Sequence, residues 1–211
     1  TLHFVGEAHR LHPAALRLKS DFGVGADWPL GYTELEPYYG IAENLIGVAG
    51  PPDPGARWRS SPYPLPPHRL CRASEWLAAA GRTLGQRWHE NPRAALSRAY
   101  DGRPPCNYCA NCARGCPLGD KGSADVTFVR HAERSGCTVV AGARVVKLET
   151  RARRVVAVRF RVGNQEQRVE TPQLLLACGA VETPRLLLDQ ASRAQPRGQT
   201  KSTQPVTLRF A

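Results

Sequence analysis

Apolar residues recur at helical spacing in two stretches of the first half of the chain. Leu35, Tyr38, Tyr39, Ala42, Leu45 and Ile46 stand three and four apart and predict a helix closed by Gly47. Thr33-Glu34-Leu35-Glu36 ahead of them reads as a capping box, with a hydroxyl and a carboxylate covering the first free amides. A second helix is expected over Arg72–Leu84, with Trp76, Leu77, Ala80 and Leu84 as its apolar stripe. Asp125–Arg134 predicts a short helix stopped by Gly136. The period then changes to two. Strands are expected at Thr138–Val140, Arg144–Glu149 and Arg153–Val162, the last alternating Val156, Val158, Phe160 and Val162 against Arg159 and Arg161. Gly163-Asn164 supplies a turn and Gln165–Glu170 the returning hairpin strand. Leu174–Ala177 is continuously apolar, as a strand buried on both faces would be, and Thr183-Pro184 predicts the N-cap and first residue of a last helix. Residues 1–32 and 88–105 read as loops. Residues 50–68 do too, because Pro62, Pro64, Pro66 and Pro67 oppose both helix and sheet. The expected fold class is α/β, in the mixed α+β sense, with a loop-rich insertion between two more regular parts.

Composition changes this picture in three ways. No apolar run approaches the roughly 18 residues that would suggest a membrane span. The formal charge is +11, from 25 arginines and 4 lysines against 18 acidic residues, but the basic residues are scattered along the chain. Without a basic block or helix face, a nucleic-acid partner is not expected. The chain starts at Thr1 and contains no methionine, which predicts an internal piece of a larger protein. Residues 193–211 carry four basic residues, no acidic ones and little periodicity, and are expected to be an aberrant or disordered tail.

Four of the seven cysteines fall within Cys106–Cys116, as C-x2-C-x2-C-x3-C-P. A disulfide scaffold would spread its cysteines through the fold. This spacing is the one by which bacterial ferredoxins hold iron–sulfur clusters: two-residue gaps let the backbone curl so that successive thiolates reach different irons. Zinc is an alternative, although a zinc ribbon separates its C-x2-C pairs by a longer stretch. Reduced or disulfide-paired structural cysteines are a third. The apolar run, Gly179-Ala180 and the helix after it form the kind of strand–glycine–helix unit that approaches a dinucleotide in open α/β sheets, or an ordinary structural joint. His3, His9 and His12 lack the i, i+4 spacing of a zinc-protease site and are expected to hydrogen-bond within a loop.

Taken in order, several segments resemble the glucose–methanol–choline (GMC) oxidoreductases. They are Thr1-Leu2-His3-Phe4 with Ala8-His9-Arg10-Leu11, the stretches 23–29 and 35–39, Tyr63–Pro67, Asp101–Pro104, Gly142–Val145 and Gly179–Leu188. The resemblance covers about residues 1–192 and is nearest the bacterial sugar, polyol and gluconate dehydrogenases. It implies a partial FAD-binding domain: a flavin-loop and helical segment over 1–50, a cysteine-bearing insertion over 51–122, and a β-rich strand–helix part over 123–192. Thr1 and Leu2 would lie by the flavin, Val145 by the adenine, and Ala177, Gly179 and Ala180 by the dinucleotide. Some members hold a three-iron cluster on C-x5-C-x3-C, which Cys106, Cys112 and Cys116 match; Cys109 is extra and could complete a 4Fe–4S site in place of 3Fe–4S. The implied activity is oxidation of the CH–OH group of a small-molecule alcohol, sugar or polyol by FAD, with electrons leaving to a cytochrome or quinone. The family's G-x-G-x-x-G unit and its catalytic histidine are missing from the sequence, so the chain alone is expected to be inactive. An iron–sulfur electron carrier and a zinc-stabilised nucleic-acid binder are the competing functional classes.

Overall fold

The computed structural model describes residues 4–52, 57–152 and 154–194. Two compact units divide between Val139 and Val140. The first contains helices α1 (Leu18–Phe22), α2 (Tyr32–Ile46), α3 (Arg72–Thr83) and α4 (Phe128–Arg134). The second contains strands β1 (Ala143–Arg151), β2 (Arg154–Val162) and β3 (Gln165–Glu170), followed by α5 (Gly179–Ala194). The mixed α+β class is as expected. None of the described helices is long and apolar enough to cross a membrane.

Much of the first unit is loop, and its core is stitched together by isolated backbone bridges. Ala49 exchanges hydrogen bonds with Arg93 at 2.7 and 2.8 Å, Leu65 N donates to Val48 O, and Ala94 N donates to Gly6 O. Val48, Ala49, Leu65, Ala94, Ala95 and Leu96 are buried around these bridges. The prolines on either side of Leu65 keep the strand from lengthening, so one bridge is all that forms there.

A second anchor is ionic. Arg10 forks onto both carboxylate oxygens of Glu43 at 2.8 Å and reaches Glu36 at 3.0 Å. Arg59 closes on Glu43 from the other side, and Ser60 N donates to Glu36 at 3.0 Å. Two loops are thereby tied to the buried face of α2. The capping box lies two positions earlier than the sequence suggests. Gly31 is the N-cap and donates its amide to Glu34 at 2.8 Å, while Glu36 points inward to Arg10. A buried guanidinium needs that carboxylate more than an exposed amide does.

Three further expectations fail. In α3 the residues that face inward are Ala78 and Gly81, and Trp76, Leu77 and Leu84 are exposed. The small residues leave room for the Trp88 indole, which lies where a Cβ on Gly81 would be. Thr138–Val140 is irregular, and the sheet begins at Ala143. Leu174–Ala177 forms no strand, and Leu175 is 90% exposed. A doubly buried strand needs ladder partners and a layer on each face, and Leu174–Ala177 pairs with none of the described strands.

The hairpin does form. β2 and β3 turn at Gly163-Asn164 with Val162 opposite Gln165, and β1 pairs antiparallel with β2 through irregularities after Val145 and Glu149. Glu149 accepts from Arg159 and Arg168 across the sheet at 2.6 and 2.9 Å. The last helix begins at Gly179, ahead of the expected Thr183, whose hydroxyl instead accepts from Cys178 N at 3.1 Å.

Candidate functional site

The cysteine loop is fixed at both ends to the buried Leu96. Cys106 N donates to Leu96 O at 2.8 Å, and Leu96 N donates to Asp120 O at 3.3 Å. Between these anchors the backbone turns tightly. Tyr108 and Ala110 take left-handed φ of 58° and 59°, and Asn107 Oδ1 accepts from Cys109 N at 3.2 Å. Such a conformation is uncommon for residues with a side chain and is held here by the Asn107 turn. Arg114 and Gly115 both donate to Asn111 O, which completes the curl.

All four cysteines line one cavity of about 310 Å³, with His68, Tyr108 and Asp120 among its other walls. Cys106, Cys112 and Cys116 are partly buried, whereas Cys109 is exposed. The amides of Tyr108 and Lys121 approach the sulfurs of Cys106 and Cys116 at 3.4 and 3.5 Å. Asp120, only 3% exposed, accepts from the Cys116 thiol. Burial, and after it the hydrogen bond with Asp120, pushes the Cys106 thiol up to about 11. Burial also works to raise the Asp120 carboxyl, but hydrogen bonds from Cys106 and Cys116 outweigh it and hold Asp120 below the usual carboxylate range.

His68 completes the wall. Its Nε2 lies 2.8 Å from Ala95 O and its Nδ1 3.1 Å from the Tyr108 hydroxyl. A carbonyl can only accept, so Nε2 donates to Ala95 O. His68, Asp120 and Lys121 were not foreseen from the sequence. Asp120 and Lys121 follow the Cys-Pro turn directly, which was the available signal; His68 lies 38 residues before Cys106, with no spacing to betray it.

Among the described residues, no group of three or more His, Cys, Asp or Glu side chains is arranged to hold a metal ion. A mononuclear zinc site needs its donors about 2.3 Å from one point, and these sulfurs line a cavity instead. A polynuclear cluster would spread its thiolates over several irons, and in this cavity backbone amides approach two of the four sulfurs.

The expected dinucleotide contacts fall in two groups. Thr1 and Leu2 lie outside the described residues. Val145 sits on β1 and lines a cavity of about 640 Å³ in the second unit, together with Arg144, Lys147 and Arg161 of the sheet and Arg185 of α5. Ala177 ends the irregular apolar run, and Gly179 (φ 86°) and Ala180 open α5; none of the three belongs to that lining. Nothing lies within 4 Å of a would-be Gly179 Cβ, so the start of α5 is open. His9 pairs with Glu7 at 2.9 Å, and His12 accepts from Ala14 N, so both act within their loop.

A family model described as GMC oxidoreductase matches residues 68–203. The chain belongs to the GMC oxidoreductase family. It is 34% identical over 96% of its length to the fructose dehydrogenase large subunit of Gluconobacter japonicus, and spans 38% of that protein. It is 31% identical over 94% of its length to 6'''-hydroxyparomomycin C oxidase of Streptomyces lividus, again spanning 38%. The gluconate 2-dehydrogenase flavoprotein of Pantoea cypripedii is 26% identical over 61% of the chain and 26% of that protein. The chain thus spans well under half the length of the GMC relatives it matches, and the family implies FAD as the cofactor.

Proposed function

We propose that this chain contributes to an FAD-dependent oxidoreductase that oxidises a CH–OH group of a sugar, polyol or other alcohol and passes the electrons to an external acceptor. The single observation that carries the electron-transfer part is the cysteine cavity: three partly buried thiols face one space, and backbone amides point at two of the sulfurs. Cys106, Cys112 and Cys116 would hold a 3Fe–4S cluster, while the exposed Cys109 stands aside; recruitment of Cys109 would make it 4Fe–4S. The similarity to a fructose dehydrogenase and a gluconate dehydrogenase supports a sugar substrate, with a cytochrome or quinone taking the electrons.

Bound FAD supplies two-electron acceptance from the alcohol carbon. Val145 would meet the adenine end, Thr1 and Leu2 the flavin, and Ala177, Gly179 and Ala180 the dinucleotide between. The chain's own part at the cysteine loop is to withdraw three thiols partly from water and to present amide donors to Cys106 and Cys116, which stabilises negative charge on sulfur. The test is anaerobic reconstitution with iron and sulfide, followed by iron assay and electron paramagnetic resonance. Cys112→Ser is expected to abolish cluster binding and Cys109→Ser to leave a three-iron signal intact. Absence of bound iron in the unaltered chain would sink the cluster assignment.

A further inference from the structure

Lys121 is 1% exposed, yet its ammonium makes no ion pair with a carboxylate among the described residues. It donates instead to two carbonyls, Cys112 O at 2.7 Å and Phe4 O at 2.9 Å, and stands 5.3 Å from the centre of the Phe4 ring. A buried cation with only neutral acceptors is costly, and an apolar side chain of the same length would fill the space for less. What the charge adds is a tie between two segments far apart in sequence.

The place of that tie matters. Gly115 and Cys116 line the cysteine cavity and also a second cavity of about 850 Å³, whose other walls include Phe4, Ile46, Lys121 and Phe128. This short stretch of backbone is therefore a shared partition, with thiols on one side and aromatic rings on the other. Lys121 binds the carbonyl of Cys112 to that of Phe4, and its own amide approaches Cys116 at 3.5 Å. Asp120, its neighbour, faces the thiols.

We propose that Lys121 is a positioning residue that locks the cysteine loop to the Phe4 segment and so sets the separation between the two cavities. Its bearing on electron transfer rests on the proposed function, in which Thr1 and Leu2, just ahead of Phe4, would lie by the flavin and the cysteine cavity would hold the cluster. Were both groups bound, the clamp would hold the partition between them at a fixed width. The clamp does not depend on the cluster being present.

The experiment is hydrogen exchange by mass spectrometry on the full chain carrying Lys121→Met, which keeps the apolar stem, or Lys121→Arg, which keeps the cation. In Lys121→Met, exchange is expected to quicken about tenfold or more in two peptides together, residues 4–8 and 110–116, as befits loss of charge-assisted hydrogen bonds. The α2 peptide should not change, and Lys121→Arg should restore protection in both loops. Quickening in one loop alone, or equally in every peptide including α2, overturns the clamp. Coupled quickening in a chain that takes up no iron upholds the clamp while removing the cluster. An iron-loaded chain with uncoupled loops does the reverse.

Discussion

Glu43 receives two guanidinium groups at once, from Arg10 and Arg59, in a place almost closed to solvent. Burial alone would raise its pKa, but hydrogen bonds from Arg10 and then Arg59 outweigh that and hold it below the usual carboxylate value. Glu36 behaves alike, with burial opposed by Ser60 and Arg10. The same contacts, led by Glu43, raise Arg10 against the effect of its own burial. A carboxyl whose folded pKa is depressed adds stability that is complete above its unfolded value, near 4.3, and fades as pH falls through the folded one. Melting temperature should therefore drop steeply below about pH 4. Glu43→Gln leaves two buried cations facing a neutral amide and is expected to cost about 3–5 kcal/mol at pH 7. Chemical denaturation measures the loss, and melts from pH 3 to 7 should show a shallower acid slope in the variant.

At the scale of an element, α2 shows how its end is set by what lies beyond it. Gly47 closes the helix at φ 79° and donates back to Glu43 O at 2.9 Å. A Cβ there would fall 2.7 Å from the buried Leu96 and 2.9 Å from Tyr100. Backbone strain and the clash act together, so Gly47→Ala should cost about 2 kcal/mol or more. Because Leu96 also anchors the cysteine loop, the variant should loosen Cys106 as well, which faster alkylation would reveal. A normal melt in Gly47→Ala would contradict this account. The helix itself was legible in Leu35, Tyr38, Tyr39, Ala42, Leu45 and Ile46, although its buried face is carried by Tyr32, Glu36 and Glu43 and Tyr38 is exposed. Its cap was not, because Glu36 could serve either an exposed amide or a buried guanidinium, and only the position of Arg10 decides between them.

Across the molecule, large apolar side chains are exposed in both units, and two in the second are among the most open. Leu175 is 90% exposed and Val181 75%, with Val156 and Val169 also open. Exposed apolar side chains in such number favour self-association. Leu175→Lys combined with Val181→Lys is expected to raise solubility and to reduce binding of a hydrophobic dye, with the sheet's circular dichroism unchanged. Unchanged dye binding would show that these side chains are covered in solution. The same exposure explains why Leu174–Ala177 misled. Its composition suits a strand buried on both faces, but composition supplies only one side of a β-ladder.

The cysteine loop marks the division between local and distant information. Local sequence was enough for whatever depends on neighbours along the chain: the period of α2, the Gly163-Asn164 hairpin, the irregular proline stretch and the crowding of four thiols within one turn-rich loop. Segment order was enough for the family. Only the tertiary structure decided which thiols turn inward, because that depends on left-handed turns at Tyr108 and Ala110 and on anchors at Leu96. It alone brought His68 to the loop and Lys121 to Phe4, since a hydrogen bond between distant segments is specified by their meeting and neither one carries its signature. The buried Arg10–Glu43–Arg59 pairing has the same origin: each charge reads as solvent-facing until its partner arrives.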